Sequence, residues 1–260
     1  MKKMIQISNL VASIVLLLVF VTSAHAAQSN LQITPPPIAS PEFEAGKVDA
    51  KAGLTYINMS GSGISLNGYG ANIVRRRAFT DALAWDMQGG LFILKGSLGS
   101  NDMSFWTIPL SLNVEYQPLK TPSSSLILFA GPNFSYGNMK IKDGVLYAPF
   151  PLLAAPSKWD LNMSITMYGW QGGGQYSAQL GDFKVSPFAM IQSQQGTVAI
   201  SYGALKQGST SIPAFTTTSY GLDLLYLPWN VTLSSVLQQA AKSGDNSGVN
   251  TTIFTLSHTF

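Results

Sequence analysis

Cysteine is absent from the 260 residues, which excludes disulfide staples, thiol nucleophiles and thiolate-held metals. Histidine occurs only as His25 and His258. Charge is scarce: Asp, Glu, Lys and Arg make up 10% of the chain, against about 25% in soluble domains. No basic tract suits nucleic acid, because Arg75-Arg76-Arg77 is the only run and three residues are too few for a phosphate-binding stripe. There is also no second long apolar run, so a helix spanning a membrane is not expected beyond the N-terminus.

The one apolar run, Leu10 to Val21, follows Lys2 and Lys3 and precedes Ala24-His25-Ala26. A positive start, a short greasy core and a small-x-small site read as a secretory signal cut after Ala26. Its removal takes two of the 15 basic residues, leaving 13 against 12 acidic ones, a net +1. Residues 27–45, "AQSNLQITPPPIASPEFEA", carry four prolines and read as an extended periplasmic lead-in. The body is residues 46–260.

Low charge without a membrane helix leaves one solution for a membrane protein. In hydrocarbon every backbone group must be paired within the protein, so only helices or closed barrels span a bilayer. A barrel strand needs apolar residues on its outer side alone. The segment "WTIPLSLNVEY" fits this: Trp106, Ile108, Leu110, Leu112, Val114 and Tyr116 alternate with Thr107, Pro109, Ser111, Asn113 and Glu115. Its terminal aromatics lie about 34 Å apart along a strand. At a tilt of about 40° this projects to about 26 Å, close to the apolar band between the aromatic girdles of outer-membrane barrels.

The same period assigns outward faces to Val48, Ala50, Ala52, Leu54 and Tyr56, and to Leu83, Trp85, Met87, Gly89, Leu91 and Ile93. Leu161, Met163, Ile165 and Met167 read as a further apolar face following the same outward pattern less cleanly, with a parity shift at Gly172-Gly173-Gly174 that puts Tyr176, Ala178 and Leu180 on one side; a bulge or bend at the glycines would allow it. The alternative reading of the glycines is a flexible loop. Ten strands are predicted, at 46–60, 64–79, 82–96, 104–118, 123–138, 159–179, 182–202, 213–228, 230–242 and 248–260, with eight or twelve left open. Short turns at one end, including Thr80-Asp81 and Pro228-Trp229-Asn230, and longer outside loops at 97–103, 139–158 and 203–212 match the asymmetry of such barrels.

Together "GANIVRRRAFTDALAWDMQGG", "IPLSLNVEYQP", "LFAGPNFSYG" and the terminal "FTLSHTF" resemble small bacterial outer-membrane β-barrels of the opacity and OmpW-like superfamily. The resemblance implies an all-β, transmembrane, antiparallel up-and-down barrel in the bacterial outer membrane. It also implies that Phe254, Leu256 and Phe260 form the signal read by the barrel-assembly machinery; His258 stands where an apolar residue is more usual.

An enzyme is not expected. Barrel hydrolases generally use histidine as general base; His25 leaves with the signal, and His258 lies two residues from the end. No cofactor or metal site is expected: "SGDNSG" at 243–248 reads as a turn, and "GYG" at 68–70 lacks the strand-to-helix context of a phosphate loop. The interior is the candidate site. Asp49, Lys51, Arg76, Asp86, Glu115, Lys184 and Asp223 are expected to line it, either as a plug of ion pairs or along a thin aqueous path. Trp106 and Tyr116 are the expected girdle. The apolar, proline-bearing connector "KIKDGVLYAPFPLLAAPSK" at 140–158 reads as a lid, a slot for apolar molecules, a contact with lipopolysaccharide, or an extension of its flanking strands. The expected function is a narrow passive pore or a passage for small solutes, apolar ones among them. The alternative is a non-conducting structural or surface-interaction barrel. Expected partners are outer-membrane lipid and lipopolysaccharide, the barrel-assembly machinery and a small apolar solute, with no nucleic acid.

Overall fold

A computed structural model describes residues 43–61, 63–145, 158–202, 205–240 and 249–260. The expected signal, most of the lead-in and the middle of the 140–158 connector lie outside these. Ten strands follow one another: β1 Val48–Gly61, β2 Ile64–Ala78, β3 Leu83–Leu98, β4 Asn101–Thr121, β5 Ser124–Val145, β6 Lys158–Leu180, β7 Phe183–Tyr202, β8 Leu205–Tyr226, β9 Val231–Ala240 and β10 Asn250–Thr259. Each pairs antiparallel with its neighbours, and β1 closes on β10 to make an all-β barrel.

The register sets the shape. From Phe188 on β7, the row of partners runs through Gly221, Val236, Ile253 and Ile57. It continues through Gly68, Leu94, Phe105, Met139 and Met163, then meets β7 again at Ile200. Residues 188 and 200 are twelve apart, which is the stagger of the closed sheet. A rise of about 3.3 Å per residue and a strand spacing of about 4.8 Å then tilt the strands by about 40°.

Alternation sorts the residues. On β4, Ile108, Leu110, Leu112, Val114 and Tyr116 are exposed, while Thr107, Ser111, Asn113, Glu115 and Gln117 are buried. The even number of strands brings residues 43 and 260 to one end, the periplasmic one. There Pro228 bends the chain into a single 3-10 turn, Leu227–Trp229, closed by Asn230 at φ 50°. Asparagine tolerates this left-handed conformation.

Three expectations need correction. The outside loops at 97–103 and 203–212 are largely strand: β3 and β4 meet at Gly99 and Ser100, and β8 begins at Leu205. Strands β4 to β8 run 20 to 23 residues, whereas β9 and β10 have 10 each. At about 40° of tilt ten residues span about 25 Å, enough for the membrane, so the long strands raise a collar roughly 30 Å above it. A collar strand can meet water on its outer side, so it loses the alternation that marks a lipid-facing one.

The second correction concerns β6. Leu161, Met163 and Ile165 pack against the inner apolar cluster, Met167 is buried, and Tyr168 and Trp170 are exposed. The apolar face read as outward points inward, and no parity shift occurs: pairing with β5 is continuous from Leu161 to Ala178. The third concerns the glycine triplet, which is neither loop nor bend. Gly173 faces inward, where an added Cβ would lie 2.8 Å from the ring of Phe129 and 2.3 Å from the carbonyl of Ala189. The aromatic ring needs that space.

Candidate functional site

All seven charged residues expected inside are buried: Asp49, Lys51, Arg76, Asp86, Glu115, Lys184 and Asp223. The folded ring brings most of them together toward the periplasmic end. Arg76 on β2 reaches across β3 to Glu115 on β4, with Nε–Oε2 at 2.5 Å and Nη2–Oε1 at 3.0 Å. This two-pronged geometry suits a guanidinium and a carboxylate. Asp86, between them on β3, accepts two hydrogen bonds from Asn113 Nδ2, at 3.0 and 3.2 Å. Its charge also senses both Arg76 and Glu115, a carboxylate pair invisible in a sequence that separates them by 29 positions. Lys51 feels the charge of Asp223, which accepts from Gln175 Nε2 at 3.2 Å. Asp49 lies 3.9 Å from Lys47, and Lys184 is buried near the start of β7.

Below this layer sits a residue that the sequence reading missed. Phe43, at the end of the lead-in, is 1% exposed and packs with Ala78, Ala84 and Ile127. Its ring lies 5.0 Å under the Arg76 guanidinium. Its backbone is held at both ends: the N–H donates to Gln117 Oε1 at 3.3 Å, and the carbonyl accepts from Lys120 Nζ at 2.6 Å. Phe43 is therefore anchored inside the periplasmic end of the barrel, against β2, β3 and β5. The only sequence signal was a lone aromatic just before the first strand.

Above the charges, neutral amides bridge the lumen. Gln171 donates to Asn113 at 2.9 Å, Gln192 to Gln171 at 3.0 Å, and Gln238 to Gln192 at 3.3 Å. With Asp86 this chain links β3, β4, β6, β7 and β9. Gln194 adds a bond to Asn133 at 2.7 Å. The buried Asn72 amide on β2, the hydroxyls of Thr217 and Ser219 on β8 and that of Thr232 on β9 find no protein partner among the described residues. Buried polar groups demand hydrogen bonds, so these atoms call for water or a polar solute.

Toward the extracellular end the lining changes character. Ile57, Met59, Leu66, Phe92, Leu94, Met103, Phe105, Met139 and Ile141 form one buried cluster, against which Leu161, Met163 and Ile165 pack. Of the seven methionines after Met4, only Met87 is exposed on the outer wall; Met59, Met103, Met139, Met167 and Met190 are buried and Met163 joins the cluster. Met139 and Met163 are register partners. The lumen is thus tiered: Phe43, charges, amides, then a packed apolar layer.

On the outer wall Trp106 stacks edge-on against Tyr136 at 5.5 Å. Tyr116, Phe183, Trp229 and Phe260 are exposed toward the periplasmic end. Phe254, Leu256 and Phe260 all face outward, and His258 lies 4.6 Å from the Phe260 ring. His258 is far from the collar. Among the described residues no group of three or more His, Cys, Asp or Glu is placed to hold a metal, and no helix is long and apolar enough to cross a membrane.

No protein-family model matches the chain, and no curated protein matches it. Among solved structures it is similar to the outer membrane protease OmpT of Escherichia coli, at 11% identity over 82% of this chain and 96% of that one, with a TM-score of 0.58. It is also similar to the outer membrane protein OprG of Pseudomonas aeruginosa, at 11% identity over 84% and 97%, TM-score 0.41. A third is Ail, the attachment invasion locus protein of Yersinia pestis, at 11% identity over 84% and 100%, TM-score 0.35. With its apolar outer wall and polar lower lumen, the chain is a small β-barrel of the bacterial outer membrane.

Proposed function

We propose that this barrel receives small apolar solutes from the extracellular side and is not an open aqueous pore. The observation that carries the proposal is the methionine- and phenylalanine-rich apolar layer of Met59, Phe92, Met103, Phe105 and Met139 in the upper lumen, which the proposal reads as a chamber that opens by repacking. Thioether chains repack at low cost around ligands of varied shape, and an apolar constriction disfavours a continuous water column. Beneath it, the Asp86–Asn113–Gln171–Gln192–Gln238 chain and the anchored Phe43 oppose straight axial flow. The reading agrees with the opacity and OmpW-like character of the motifs, to which the proposal assigns the chain. It assigns no catalysis, because His258 sits at the periplasmic end beside Phe260. In the same proposal the outward Phe254, Leu256 and Phe260 serve the assembly machinery.

The test pairs two measurements on purified barrel. Titration with the fluorescent apolar probe N-phenylnaphthylamine should show saturable binding, weakened about tenfold, or about 1.4 kcal/mol, in Met139→Gln/Met163→Gln. Planar bilayers should show no steady ionic conductance. Stable aqueous conductance without probe binding defeats the proposal. Neither conductance nor binding favours the alternative, a non-conducting surface barrel, which the tight packing of the chamber would also suit.

A further inference from the structure

A shallow groove of about 460 Å³ crosses the outer wall at the seam where β10, β1 and β2 meet. Its floor is low because Ala52 and Ala71 point outward there, beside Gly53, while Leu54, Leu256 and His258 stand around them. A second hollow of about 330 Å³ continues it toward Tyr56 and Tyr69 and shares Leu54 and Leu256. The groove faces hydrocarbon, so an acyl chain is its natural occupant.

Beyond Ile73 on β2, periplasmic of this groove, the outer wall is basic. Arg75 is the register partner of Ala50 and Arg77 that of Val48, so both lie on the outward face on either side of the inward Arg76. Both are exposed, and neither side chain takes part in an ion pair or hydrogen bond with any described residue. Their α-carbons lie about 6.6 Å apart on the strand. Ala50 also exchanges backbone hydrogen bonds with Phe260, which puts Arg75 at the level of the periplasmic aromatics. The Phe260 carboxylate is an anion at this level, on the far side of β1 and outside ion-pair distance of either arginine. Asp49 points into the lumen.

We infer that this seam binds one anionic phospholipid of the periplasmic leaflet. Its phosphate is held by the forks of Arg75 and Arg77, and one acyl chain lies in the groove over Ala52 and Ala71. Guanidinium groups suit phosphate through paired hydrogen bonds, and two at a membrane interface are stronger there than in bulk water. The site is independent of the solute chamber, which opens on the other side of the wall.

Native mass spectrometry of the barrel in a nonionic detergent, titrated with phosphatidylglycerol or phosphatidylcholine of the same chain length, tests the assignment. The wild-type barrel should retain one phosphatidylglycerol with about fivefold preference over phosphatidylcholine, and inorganic phosphate should not displace it. Arg75→Gln/Arg77→Gln should remove the preference, Arg75→Lys/Arg77→Lys should keep most of it, and Ala52→Leu should lower retention of both lipids by filling the groove. N-phenylnaphthylamine binding should be unchanged in all three. A wild-type barrel without preference, or a glutamine variant that keeps it, overturns the inference. Displacement by free phosphate, or full retention in Ala52→Leu, does so too, by showing that no acyl chain is held.

Discussion

Replacing Arg76 by methionine removes the cation that holds Glu115 through two hydrogen bonds, while leaving Glu115, Asp86 and Asp49 buried nearby. Methionine fills similar space, so the change isolates charge from volume. Breaking a buried pair from one side costs about 3–5 kcal/mol, because the orphaned ion keeps its desolvation penalty. Loss of the guanidinium above the Phe43 ring adds about 1 kcal/mol. The single variant should therefore lose about 4–6 kcal/mol, whereas Arg76→Met/Glu115→Gln should recover about 2 kcal/mol or more. Urea-dependent unfolding in phospholipid vesicles, followed by tryptophan fluorescence and by the mobility of unboiled protein, measures both. If the single variant stays within about 1 kcal/mol of wild type, or the double is no better than the single, the lower lumen is not held by this pair.

Two further outcomes follow from the same geometry. Phe43→Ala should undock residue 43 while leaving the barrel closed, because its partners Ala78, Ala84 and Ile127 belong to strands that pair without it. A cysteine placed at Ser125 should then react with a periplasmic maleimide about tenfold faster, the signature of a local opening that costs about 1.4 kcal/mol less. Removal of Phe260 takes away an outward ring and the two backbone bonds that tie it to Ala50. Its assembly into proteoliposomes carrying the barrel-assembly machinery should slow, while spontaneous refolding in detergent should change little; equal slowing in both would make Phe260 a stability residue alone.

The interior was half legible. Charges stand out in a chain so poor in them, and each of the seven that the alternation assigned inward is buried. Their pairing was not readable, because Arg76 and Glu115 lie 39 positions apart and meet only when β3 carries them into register. The bridging glutamines were overlooked since a lone Gln on a polar strand face resembles any other. Phe43 precedes the first strand and carries no period at all.

Alternation in the amino-acid order determined that this chain makes about ten two-faced strands, with eight or twelve left open until the ring closed, and it determined the lipid-facing side wherever one face was apolar and the other polar. It did not determine which way a face points once both sides have lost that contrast. β6 shows why: Leu161 to Met167 are apolar because they fill a chamber, and a period of two cannot distinguish a greasy interior from a greasy exterior. Only ring closure, with its stagger of twelve residues from Phe188 to Ile200, settled the matter. Closure puts every strand at a defined height beside partners distant in sequence, and height decides whether a side chain meets lipid, ions or other methionines.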